Sequence, residues 1–202
     1  MLTLLFGIIV FLLTVTLHEF CHGLVAYRLG DPTAKLAGRL TLNPLKHIDP
    51  FWTVLLPALL FFSTGGRFAI GMAKPVPVDF TRLRRPKRDM IWVALAGPAA
   101  NIFLAAILNL FFKLTDNALW LYAIYFNLGL AMFNLIPIPP LDGSRVLAGL
   151  LPERLALPYL RMEPYGFMIV LIFYFSGLLF ALMVPAVNLF CRLFQIPPLP
   201  FH

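Results

Sequence analysis

The sequence predicts an all-α polytopic membrane protein with about four transmembrane helices and one re-entrant element. Three observations carry this. Of its 202 residues, 60% are apolar and only 12% are charged, against about a quarter charged in a soluble domain. The mean hydropathy is +0.86. The apolar residues gather into runs of about 20, the length that crosses a ~30 Å hydrocarbon core.

The elements follow in chain order. Residues 2–27 form the first helical candidate, interrupted only by polar residues at 18–22. The run lacks the basic start of a secretion signal and leads into His18-Glu19 rather than a small-residue cleavage site, so it is expected to persist as a helix. Within the mixed stretch 28–49, residues 38–42 alternate with period two, as a short strand does. Asn43-Pro44 and Asp49-Pro50 mark turns. Residues 51–64 are apolar, but that run reaches only about 21 Å as a helix, contains Pro57 and ends at Gly65-Gly66. A re-entrant hairpin fits it; a full span reaching about residue 73 is the alternative. Residues 67–89 are the most basic stretch. Spans are then expected at about 90–112, 119–136 and 166–190, with a proline-rich connection at 137–165.

Charge distribution discriminates between the two layouts. With 51–73 re-entrant, loops 28–49, 67–89 and 137–165 share one side and hold 14 of the 16 lysines and arginines. The positive-inside rule makes that side cytoplasmic, whereas a full span would split the bias. The same placement explains the net charge of +7 without nucleic acid, since no basic helix or aromatic-basic module remains outside the apolar runs. Cys21 and Cys191 lie in or beside apolar segments and read as buried thiols rather than a disulfide framework.

His18-Glu19-Phe20-Cys21-His22 places two imidazoles four residues apart, on one face of a helix, with a carboxylate between them. Such a pair can hold one metal ion while the glutamate takes a proton from water. Ionisable groups inside a membrane helix are costly and point to function. A catalytic zinc needs a third protein ligand and an open position. Asp142 is the candidate because it alone among the acids sits in an apolar, proline-broken stretch, Asn134-Leu-Ile-Pro-Ile-Pro-Pro-Leu-Asp142-Gly143. Irregular backbone at membrane depth is tolerated where protein buries it or where it lines a watery cavity. The other reading of Asp142 is a cap on the short helix that follows. Asn101, in Gly97-Pro98-Ala99-Ala100-Asn101, serves either helix packing or the active site, and Asn134 carries the same two readings.

These motifs in this order resemble the site-2 protease family of intramembrane metalloproteases. The stretches Gly-Arg-Leu-Thr-Leu-Asn-Pro-Leu-Lys-His-Ile-Asp-Pro (38–50) and Ala-Lys-Pro-Val-Pro-Val (73–78) are similar to its compact prokaryotic branch. The resemblance covers residues 15–145, within a single membrane-embedded domain expected over 1–202. It implies one zinc ion per chain held by His18, His22 and Asp142, Glu19 as the catalytic base, and Asn101 and Asn134 near the site, supporting substrate or transition state. It implies that 28–49 forms a small membrane-associated β-hairpin that presents substrate. No PDZ-type or CBS-type domain is expected, because no long polar stretch exists. The implied activity is hydrolysis of membrane-spanning proteins in regulated intramembrane proteolysis, by a multi-pass protein of a bacterial or archaeal cell membrane. The competing class is a membrane metal transporter or metal-binding protein using the same His/Asp cluster, which has no use for Glu19 in register.

Overall fold

In a computed structural model, described over residues 2–63, 65 and 73–199, the chain is built of helices. Leu2–Arg28 (α1) is an unbroken run of helix-tolerant apolar residues that stops shortly before Pro32. Thr33–Leu36 (α2) is a single turn. After one π-helical turn at Pro50–Leu55 comes Leu56–Ser63 (α3). Pro86–Thr115 (α4) begins with proline at its first position, where the missing N–H costs nothing. The Asp89 carboxylate reaches back to the Arg85 N–H at 2.8 Å and seals this helix start. Asp116 ends α4 in the left-handed region, and the Asn117 side chain caps Ala118–Asn134 (α5) at the Leu119 N–H. Asp142–Leu150 (α6), Glu153–Leu160 (α7), Gly166–Phe175 (α8) and Leu178–Phe194 (α9) complete the order.

The long α4 is the central element, packed against α1, α5 and α6, with α9 closing on α5. Ala105, Ile124, Leu128, Val187 and Cys191 form the core of the α4–α5–α9 side. Outward, Phe103, Leu114, Tyr122, Ile172 and Phe175 stand exposed, far more bare apolar surface than a soluble protein carries. By length and composition two helices can cross a membrane, Leu5–Arg28 and Pro86–Thr115, or three if the pair 153–160 and 163–175, bent by 41°, counts as one. At 17 residues each, α5 and α9 span only about 25 Å, so the expected four full spans are not supported. The span expected at 166–190 is broken between α8 and α9 at Gly177, whose φ of 77° reverses the local backbone.

No strand is found among the described residues, and the β-hairpin expected in 28–49 is not seen. Residues 38–42 form irregular turns instead. The reason is visible in their hydrogen bonds. The Arg39 N–H is taken by the Ala34 carbonyl at 2.9 Å and the Thr41 carbonyl by the buried His47 ring at 2.9 Å, so the backbone groups a ladder needs are spent locally. Of the hairpin expected at 51–73, residues 64 and 66–72 lie outside the described residues, but its flanks do not. Lys74 N–H donates to the His47 carbonyl at 2.9 Å, and the Arg39 guanidinium bonds the carbonyls of Lys46 (2.5 Å) and Pro75 (3.2 Å). The chain therefore leaves and re-enters this region at one place.

Candidate active site

The site is assembled where α1 and α4 cross beneath the loop leading into α6. His18 and His22 lie one turn apart on α1, buried at 5% and 7% exposure. Their Nε2 atoms are 3.0 Å apart, and each is 3.2 Å from Asp142 Oδ2. Tetrahedral zinc with ligands at about 2.0–2.2 Å sets them roughly 3.3 Å apart, so this triangle fits the ion. His22 Nδ1 lies 2.7 Å from the Val93 carbonyl, which can only accept; Nδ1 therefore carries the proton and Nε2 keeps its lone pair for a metal. Asp142 Oδ2 is buried and has no hydrogen-bond partner beyond what this cluster offers, the state of a ligand oxygen rather than a structural one.

Asp142 is the first residue of α6, and the N-cap position is held by Leu141, so the carboxylate does not stand where a cap would. Two devices place it. The prolines at 137, 139 and 140 forbid helix continuity after α5, and the Tyr159 hydroxyl holds the loop through the Pro137 carbonyl at 2.7 Å. Glu19 lines the same cavity, of about 450 Å³, with Phe11, Val15, Leu130 and Phe133 as apolar walls. Its Oε2 accepts the Val76 N–H at 2.7 Å. Asn134 also lines the cavity, its amide bonded back to the Leu130 carbonyl at 3.0 Å. Asn101 does not line it; it lies fully buried one turn beyond Gly97 on α4.

Sequence reasoning missed three contributors. Gly97 enters the sequence reading only as a neighbour of Asn101, yet both imidazoles press on it: a methyl there would lie 2.6 Å from His18 Cε1 and collide with His22 Nε2. The 73–78 segment holds the general-base candidate through Val76, and the signal was its Pro75-Val76-Pro77 pattern, which excludes helix and leaves one N–H between two residues that have none. Arg145 also lines the cavity, paired with Glu163 at 2.6 Å and lying over the Phe80 ring at 5.4 Å. Nothing but its spacing of three from Asp142 marked it.

The profile described as Peptidase family M50 matches residues 6–117 and 112–177. The chain belongs to this family, the site-2 proteases. Among its relatives, YwhC of Bacillus subtilis, named as a candidate zinc metalloprotease, is 35% identical over 90% of this chain and 85% of its own length. Rip2 of Mycolicibacterium smegmatis and Rip2 of Mycobacterium tuberculosis, named likewise, are 32% and 36% identical over 88% and 75% of this chain, and over 66% and 56% of their own lengths. No solved structure matches the chain. The protein is thus a zinc metalloprotease of the site-2 type and a membrane protein, and the transporter reading is set aside.

Proposed function

We propose that this protease cleaves peptide bonds of membrane-spanning proteins, in regulated intramembrane proteolysis, within a multi-pass fold of a bacterial or archaeal cell membrane, and that residues 1–202 act as one domain. The observation that carries the reading is the convergence of His18 Nε2, His22 Nε2 and Asp142 Oδ2 on one point of a cavity walled by apolar side chains and reached by Glu19. An apolar wall suits a substrate that arrives from the bilayer.

His18, His22 and Asp142 would hold one zinc ion, which supplies Lewis acidity and makes water acidic enough to deprotonate near neutral pH. Glu19 has Oε2 fixed by Val76 and Oε1 without a protein partner among the described residues. Oε1 takes the proton of the attacking water as its oxygen adds to the substrate carbonyl, then returns it to the departing amine when the C–N bond breaks. Asn134, in the cavity wall, would donate the amide N–H not taken by the Leu130 carbonyl to the developing oxyanion.

The test is a set of purified variants. Glu19→Gln should keep close to one zinc per chain and lose cleavage of a single-span substrate by at least about 1,000-fold, whereas Asp142→Ala should lose zinc as well. Full zinc in Asp142→Ala sinks the third-ligand assignment. Retained turnover in Glu19→Gln sinks the base.

A further inference from the structure

The two histidines differ in one respect. His22 Nδ1 is tied to the Val93 carbonyl, but His18 Nδ1, equally buried, has no partner from the protein. Metal-ligating histidines almost always donate that second N–H to an oxygen, which fixes the tautomer and aims the ring. The other buried polar atoms without a protein partner therefore bear on His18. They include Thr14 Oγ1 and both amide atoms of Asn101, on residues 1% and 0% exposed. In a bilayer each such group costs several kcal/mol unless something satisfies it.

Their positions follow from helix register. Leu29 bonds Arg84, His22 bonds Val93, and His18 meets Gly97, so α1 and α4 run antiparallel. One turn further along each helix, Thr14 and Asn101 come to the same depth. Helical side chains lean toward their own N-terminus. His18 therefore leans toward the turn of Thr14, and Asn101 leans back toward Gly97 and His18. Helix register thus sets Thr14 Oγ1 and the Asn101 amide in the turn next to His18 Nδ1, and no direct hydrogen bond pairs any of these four buried atoms.

We propose that Thr14 and Asn101 hold a buried water molecule that accepts the Nδ1–H of His18. One such water can take up the Thr14 hydroxyl, the Asn101 amide and the His18 N–H, within the two to four partners a buried water needs. Thr14 and Asn101 are then positioning residues that act on the metal through His18. The inference rests on His18 being a ligand.

The experiment measures zinc affinity of the full chain in detergent by competition with a chromophoric chelator. Thr14→Val removes only the hydroxyl and Asn101→Leu only the amide; each should weaken zinc binding by about 10–100-fold. Thr14→Ser, which keeps the hydroxyl, should restore it to within twofold of wild type. Cobalt-loaded Thr14→Val should also show an altered d–d absorption band. Asn109→Leu removes a buried amide on the same helix, bonded to the Phe194 carbonyl at 3.0 Å, and should leave zinc affinity unchanged. That control separates general loss of packing from loss at the ligand. His18→Ala is measured alongside: wild-type affinity in it overturns the ligand assignment itself. Weak binding in His18→Ala but wild-type affinity in both Thr14→Val and Asn101→Leu overturns the water bridge alone.

Discussion

Gly97 shows how a residue with no side chain can decide a metal centre. Its α-carbon faces the paired imidazoles, and the space a methyl would need is already taken by His22 Nε2 and by His18, whose Nε2 would stand 2.7 Å from it. A buried backbone cannot give way by that much without moving the helix, because interiors are packed near crystal density. Gly97→Ala should therefore spread His18 and His22 apart and lower zinc content far below one per chain, with cleavage lost in proportion. Metal analysis of the purified variant checks this, and stoichiometric zinc in Gly97→Ala would mean that the rings do not rest on α4. At this scale the chemistry was legible in the letters: His18, Glu19 and His22 announce themselves by spacing, and Asp142 by its setting. What pressed against them was not, since close approach between two helices leaves no trace in either helix alone.

The element that most affects the reaction is one without regular structure. Residues 73–78 cross the cavity and are fastened at both ends: Lys74 and Pro75 to His47 and Arg39, and the Asp79 N–H to the fully buried Asp31 carboxylate at 2.7 Å. Between these anchors Val76 gives its N–H to Glu19. Prolines at 75 and 77 keep the segment stiff, so the base is held by a short, nearly inextensible strap. Val76→Pro deletes that donor and keeps the segment non-helical. It should cut kcat about tenfold or more with zinc content unchanged, whereas Val76→Ala, which keeps the N–H, should cost much less. Equal kcat in wild type and Val76→Pro would remove the strap from the mechanism. The alternating pattern at 38–42 suggested a strand that does not form, because side-chain periodicity reports which face is buried and says nothing of where backbone donors go. Here Ala34 and His47 had already claimed them.

At the scale of the molecule, the helical class was readable from hydropathy, but the count of crossings was not. Apolar runs do not reveal a break such as Gly177 or a bend such as that between 153–160 and 163–175, because each interrupts the backbone while leaving the composition apolar. Charge carried more information than length did. It placed 28–49 and 67–89 on one side, and the bonds that Arg39 and His47 make with Lys74 and Pro75 now join those two stretches directly. A single membrane crossing between residues 48 and 73 would separate these partners by the ~30 Å hydrocarbon core, which no hydrogen bond spans. Single cysteines at Leu45 and Arg84, both exposed, in a chain with Cys21 and Cys191 replaced by alanine, should therefore react with a membrane-impermeant maleimide from the same side of sealed vesicles. A cysteine at Asn117, in the exposed α4–α5 turn, should react from the opposite side, since α4 between Arg84 and that turn is long and apolar enough to cross the bilayer. Labelling of Leu45 and Arg84 positions from opposite sides would show that the 48–73 run crosses the membrane, and the charge argument would fall with it.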